Sequence, residues 1–285
     1  MKYKETVSSY RINPLFLLPK EKIFIRIVEG NGETPFILRT ESGKLREVSK
    51  DYWFWQAPRK KGLFPLKIFH PLGVDSILIN IFVMVPTKEM KGETLHGYRI
   101  GRYPPKPWKD LSIYTPPNGF IEVTPENEET YLSPHFQLKQ FLCKQEGGYP
   151  KYIVLRESLL LKLEWILEKV NERGLSCETF HVLSGYRTPY YNQSLGNVRF
   201  SRHLWGDAAD LFIDEDPKDD WMDDLNGDGE INDRDGDLLL GIIEGMDEEP
   251  HSKIYIGGLG RYEENSYHGP FIHVDARGYP ARMGG

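Results

Sequence analysis

Ile77, Ile79, Ile81, Val83 and Val85 occupy every second position of the run SILINIFVMVP. A period of two places all five on one face of a β-strand. Four similar short runs precede it, KIFIRIVEG, PFILRTESG, YWFWQAP and LFPLKIFHP, divided from one another by Gly, Pro, Asn and Asp. Strands at this spacing predict an all-β domain over residues 1–88, a small antiparallel sandwich of the Ig-like kind. Trp53, Phe54 and Trp55 within it read as packed core aromatics, with a sugar-stacking platform as the alternative.

The pattern changes after residue 88. Residues 89–130 are rich in Pro, Gly and Tyr, as in GYRIGRYPPKPW and YTPPNGF, and predict an ordered linker. Next, YLSPHFQLKQFL offers Ser133 as a helix N-cap with Pro134 at the first helical position. A second helix is predicted where Leu155, Leu159, Leu163, Ile166, Leu167 and Val170 recur on one face and Gly174 supplies the C-cap. Glu157, Glu164 and Glu168 then fall on its solvent face. FHVLSGYRT, AADLFID, SKIYIGGLGRY and GPFIHVDAR read as strands of one small antiparallel sheet against that helix, so residues 131–285 form an α+β domain.

Composition narrows the partners. The chain of 285 residues carries a formal net charge of −6, yet residues 214–249 hold sixteen Asp and Glu against only Lys218 and Arg234, which leaves a basic surplus elsewhere. That surplus lacks a basic stripe interleaved with stacking aromatics, which argues against nucleic acid and suits an anionic polymer such as cell wall. Two cysteines, Cys143 and Cys177, are too few for a disulfide framework and lack zinc-knuckle spacing. No apolar run approaches the ~20 residues of a transmembrane segment, and no signal peptide is visible at the start, so the chain is either cytoplasmic or shown in a trimmed mature form. Oligomeric state is not legible.

One region carries metal chemistry. His203 and Asp210 flank Gly206, which lets the backbone turn between them, and Asp210 opens the strand DLFI, where a bare carboxylate is costly without a compensating cation. In FIHVDA, His273 and Asp275 share one strand face, which suits a third ligand with an orienting carboxylate behind it. Each residue alone reads equally as a hydrogen-bonded structural group. Together, SGYRT, SRHLWGDAAD, GGLGRY and HVD resemble the zinc D-Ala-D-Ala carboxypeptidases and murein endopeptidases, which share a fold with lysostaphin-type peptidases and the hedgehog signalling domain. The resemblance covers roughly residues 130–285. It implies that His203, Asp210 and His273 hold Zn2+, that Arg187 grips a substrate carboxylate or carbonyl through its planar fork, and that Ser201 sits at the cleft wall. One branch of that group places a Glu three residues before the last histidine, where this chain has Pro270. The carboxypeptidase and endopeptidase branch places a histidine five before it, and His268 stands there, a candidate general base or oxyanion donor, or otherwise an exposed loop histidine.

Between the second and third of these ligands, residues 215–250 form an acidic insertion. DLNGDGEINDRD within it matches an EF-hand-type loop: Asp224, Asn226 and Asp228 at positions one, three and five, Gly229 at six, Glu230 at seven and Asp235 at twelve. The short Asp at twelve resembles dockerin-type Ca2+ loops; a solvated acidic loop is the alternative. The expected function is therefore that of a periplasmic or extracellular zinc peptidase acting on peptidoglycan peptides, as a D,D-carboxypeptidase or a cross-link endopeptidase. A non-catalytic cell-wall or surface binding module with a structural metal is the main alternative. A calcium-dependent adhesion protein would carry several such loops, and only one is visible.

Overall fold

In the computed structural model, residues 1–28, 34–73, 76–246 and 256–284 are described. Glu29 and Gly30 of the first expected strand, Ser252–Tyr255 of SKIYIGGLGRY and the end of the acidic insertion from Asp247 lie outside them. The chain divides into two compact units that interleave along the sequence: 1–100, 117–139 and 147–157 form the first, and 101–116, 140–146 and 158–285 the second.

The first unit contains two sheets that share one core. In one, Lys22–Arg26 lies between Lys2–Tyr3 and Tyr52–Gln56, and Lys44–Ser49 closes the far side. In the other, Ser76–Val83 lies between Ile12–Leu17 and Gly62–Phe69, with Ile37–Thr40 beyond. Ile23, Ile25, Trp53 and Trp55 of the first meet Leu15, Leu17, Leu66, Ile79 and Ile81 of the second in a single buried cluster. Trp53 and Trp55 are thus core residues, as the period of two requires, while Phe54 stays on the outer face. One pairing departs from the antiparallel expectation: Ile12–Leu17 runs parallel to Ser76–Val83. A parallel pair needs a long crossover, and the intervening strands supply it.

The helix expected from Ser133 does not form. The N–H groups of Leu132 and Ser133 both donate to Phe136 O, and Leu138 N donates to Thr130 O. These donors are engaged before a helical ladder can use them, and only a 3₁₀ turn, Leu138–Phe141, follows.

The second unit is α+β. Its helices are α1 (Glu157–Glu172), α2 (Pro189–Ser194) and α3 (Asp233–Gly245), and its strands are β1 (His181–Ser184), β2 (Ala208–Phe212), β3 (Gly258–Tyr262), β4 (Phe271–Asp275) and β5 (Ala281–Met283). They form one sheet in the order β1-β2-β4-β3-β5, antiparallel except for the β3–β5 pair. α1 is buried around most of its circumference, from Leu159 through Glu164. Glu164 is therefore interior, not on a solvent face. Lys162 of the same helix donates to the Asp275 carbonyl at 2.8 Å.

Register fixes what each sheet face carries. Asp210 of β2 and Gly260 of β3 both stand opposite His273 of β4, and Ala208 stands opposite Asp275. Residues two apart share a face, so Asp210, Tyr262, Phe271, His273 and Asp275 are on one side. Ala209, Leu211, Leu259, Ile272 and Val274 are on the other, all buried.

Candidate metal centre

The turn between β1 and β2 positions His203. Arg202–Trp205 forms one 3₁₀ turn that ends at Gly206 with φ +67°, a left-handed conformation that favours glycine. Arg202 and Asp207 close this turn with a buried ion pair, Nε to Oδ1 at 2.9 Å and Nη2 to Oδ2. Arg187 N donates to His203 O, so the loop after β1 is tied to the same turn.

Three side chains converge in front of the sheet. His203 Nε2 and His273 Nδ1 lie 3.2 Å apart, and Asp210 Oδ1 lies 3.2 Å from the first and 2.7 Å from the second. All three residues are buried. The outer nitrogen of each imidazole is spoken for: His203 Nδ1 donates to Gly185 O at 2.7 Å, and His273 Nε2 faces Asp275 Oδ2 at 3.4 Å. A carbonyl and a carboxylate can only accept, so these partners place the hydrogens on the outer nitrogens and aim both ring lone pairs at Asp210. Three acceptors meeting in a buried space demand a positive charge. Burial alone would push His273 down, yet hydrogen bonding to Asp210 and Asp275 holds it up at about 9. His203 shifts the other way, because burial outweighs the pull of Asp210 on it. For Asp210, the two histidines overcome burial and keep the carboxyl far below its usual range.

The donor set fits zinc. Two imidazole nitrogens and one carboxylate oxygen are a zinc complement, and a carbonyl and a carboxylate behind the imidazoles fix their tautomers, as in metal sites. Asp275 is itself held rigidly: Gly258 N donates to its Oδ1 at 2.7 Å, and Arg277 Nε approaches both oxygens. A side chain at Gly258 would run into Asp275 Oδ2, so glycine keeps that approach open.

The cluster opens onto a cavity of about 500 Å³. Trp108, Tyr114, Phe200 and Ser201 line it on one side, and Tyr262, Phe271 and Met283 also border it. Arg187 borders the cavity too, but its fork is engaged: Nε donates to Ser184 Oγ at 2.7 Å and Nη2 to Asp210 Oδ2. In this arrangement it orients Asp210. His268 is not brought to the cluster. Its Nδ1 donates to Gly269 O, its Nε2 accepts from Asn265, and the ring packs edge-on against Phe271 outside the cavity lining. The tight Asn265–His268 turn holds it there.

Residues 134–224 match the family model for Peptidase M15. The M15 match covers less than half of the chain, includes His203 and Asp210, ends before His273, and supports metallopeptidase chemistry. No curated protein matches the chain.

The acidic loop is arranged differently. Asp224 accepts from the N–H groups of Gly227, Asp228 and Gly229, and Asn226 Oδ1 accepts from Asp228 N. Asp228 accepts from Glu230 N and Arg234. Asp235, fully buried, accepts from Leu225, Asn226 and Asn232 and forms the capping box of α3. Glu230 is exposed. Among the described residues these carboxylates do not converge as the His203 group does; the other group that comes together is His181, Asp214 and Asp220, with Asp220 exposed.

Several site residues escaped the sequence reading. Arg202 and Asp207 were hidden because a buried pair five residues apart has no periodic signature. Trp108 and Tyr114 lay in a stretch that reads as linker. Tyr262 and Arg277 stand at the ends of GGLGRY and HVDAR, where no local pattern marks them.

Proposed function

We propose that this chain is a zinc peptidase of the M15 type that hydrolyses peptide bonds in peptidoglycan stem peptides, as a D,D-carboxypeptidase or a cross-link endopeptidase, outside the cytoplasm. The observation that carries the reading is the convergence of His203 Nε2, Asp210 Oδ1 and His273 Nδ1 within 3.2 Å at the wall of an open cavity. A metal held only for structure has no need of such an opening, which favours catalysis over a binding module. Zinc, when bound, supplies Lewis acidity that polarises a carbonyl and acidifies water. The chain's own residues do the rest. Gly185 and Asp275 fix the two imidazoles, Arg187 holds Asp210 through its second oxygen, and Trp108, Tyr114 and Phe200 give the substrate an aromatic wall. Calcium in the Asp224–Asp235 loop belongs to the same proposal as a stabilising ion with no part in the chemistry; the ligand spacing and the left-handed Gly227 and Gly229 support it.

Stripping the protein of metal and reloading it with zinc or calcium separately tests both ions. Zinc is expected to bind one per chain, to restore cleavage of purified muropeptides read by mass spectrometry, and to be lost in His203→Ala. Calcium is expected to raise the melting temperature without restoring cleavage. Full zinc occupancy in His203→Ala, or a melting temperature indifferent to calcium, removes the corresponding assignment.

A further inference from the structure

The charged groups that border the cavity are already paired. Its three arginines are each committed to a carboxylate: Arg187 to Asp210, Arg202 to Asp207 and Arg277 to Asp275. The Tyr114 hydroxyl is shared with Tyr279 at 3.1 Å. Ser201, Asn197, Tyr262 and the indole N–H of Trp108 carry no side-chain hydrogen bond among the described residues. Only Tyr262 belongs to the sheet that carries Asp210 and His273.

Its placement is fixed on two counts. β3 pairs with β4 so that Gly260 stands opposite His273 and Tyr262 opposite Phe271. Tyr262 thus lies one pleat repeat along the same face from the cluster, with no β3 side chain between them, since the intervening position on that face is Gly260. The Tyr262 and Phe271 rings stack at 4.9 Å and 7°, which holds the phenol in one plane at little entropic cost. Tyr262 itself stays 37% exposed, and partial desolvation together with the Asp210 charge raises its pKa above the ordinary value of 10.0. It is therefore a protonated donor at neutral pH.

We infer that Tyr262 is a catalytic residue whose hydroxyl donates a hydrogen bond to the carbonyl oxygen of the scissile bond as negative charge develops on it. The inference rests on the peptidase reading above. In hydrolysis a water oxygen adds to the carbonyl carbon and the C=O electron pair moves onto the carbonyl oxygen. The C–N bond then breaks, both protons of the water end on the leaving nitrogen, and a carboxylate and an ammonium group depart. Tyr262 keeps its proton throughout and only donates. A donor aimed at such an oxygen from a preorganised position acts mainly in the transition state.

Tyr262→Phe isolates the hydroxyl, because phenylalanine retains the stack on Phe271. In the zinc-loaded protein the variant is expected to keep its melting temperature and zinc content. Its kcat is expected to fall by about 100- to 1,000-fold with little change in KM. It should also bind a tetrahedral phosphinate analogue of the stem peptide on the order of 10- to 100-fold more weakly by calorimetry. Tyr262→Ala, which also removes the stack, is expected to lower the melting temperature as well. Parent-like kcat and phosphinate affinity in Tyr262→Phe overturn the assignment, as does a loss of activity that tracks a loss of zinc. A parent protein that takes up zinc but cleaves no stem peptide overturns the peptidase reading and this assignment with it.

Discussion

Asp207→Asn tests how the turn that carries His203 is held. The Arg202 and Asp207 side chains are 0% and 1% exposed. Besides its carboxylate, the guanidinium donates to Ile113 O at 3.2 Å and lies 4.4 Å from the Tyr114 ring centroid and 5.2 Å from that of Trp205. Asparagine keeps the volume and removes the charge, leaving a cation with no counter-ion in a dry space. Breaking one side of a buried pair costs about 3–5 kcal/mol, a large part of the roughly 5–15 kcal/mol that holds a typical domain together. At about 2–4 °C per kcal/mol for a unit of this size, the melting temperature is expected to fall by about 6–20 °C. Because His203 follows Arg202 directly, zinc affinity should fall too. The double variant Arg202→Met, Asp207→Leu removes both charges and fills the space, so it should recover most of the lost stability. Thermal unfolding followed by near-UV circular dichroism, with metal content measured alongside, reads all three proteins. An Asp207→Asn protein within about 1 kcal/mol of the parent refutes the reasoning, as does a double variant less stable than the single one.

Arg187→Lys replaces a fork that reaches Ser184 and Asp210 together with a point charge that can reach only one; zinc affinity is expected to fall about 10- to 100-fold, measured by competition with a chelator, and unchanged affinity would show that Asp210 needs no such support. Burial, aided by Glu215 and Asp223, pushes the Cys177 thiol up to about 12. At pH 8 its thiolate fraction is then about 10⁻⁴, so the native protein should resist alkylation at Cys177 in peptide mapping while the unfolded chain reacts; rapid native labelling at that pH contradicts the burial. The unfolded thiol ionises near its ordinary value of 9.0 and the folded one does not, so this contribution to stability is complete below pH 9 and is lost as pH climbs toward 12.

What the sequence disclosed followed from periodicity. Alternation placed Trp53 and Trp55 in a core and set His273 and Asp275 on one strand face, because a strand's two faces have fixed parity. Helical spacing located α1 but misjudged Glu164, since a pattern of apolar positions reports one buried face and α1 is covered on nearly all sides. Ser133 and Pro134 carry a sound local helix start, yet their neighbours' backbone donors are claimed by Thr130 and Phe136, a contest no local signal records. His268 stands five residues before His273, and the Asn265–His268 turn seats its ring edge-on against Phe271, outside the cavity lining. Separation in sequence says little across a turn.

The interleaving of the two units reaches beyond description. The wall formed by Trp108 and Tyr114, and the Ile113 carbonyl that helps hold Arg202, come from residues 101–116, upstream of the stretch that matches Peptidase M15. A fragment cut near residue 130 would keep every metal-facing side chain and lose that wall, leaving Phe200 and Trp205 bare to solvent. The catalytic unit therefore cannot be lifted out as one uninterrupted piece of chain. Transplanting it, or exchanging its front end for another, means carrying residues 101–116 and 140–146 along with 158–285.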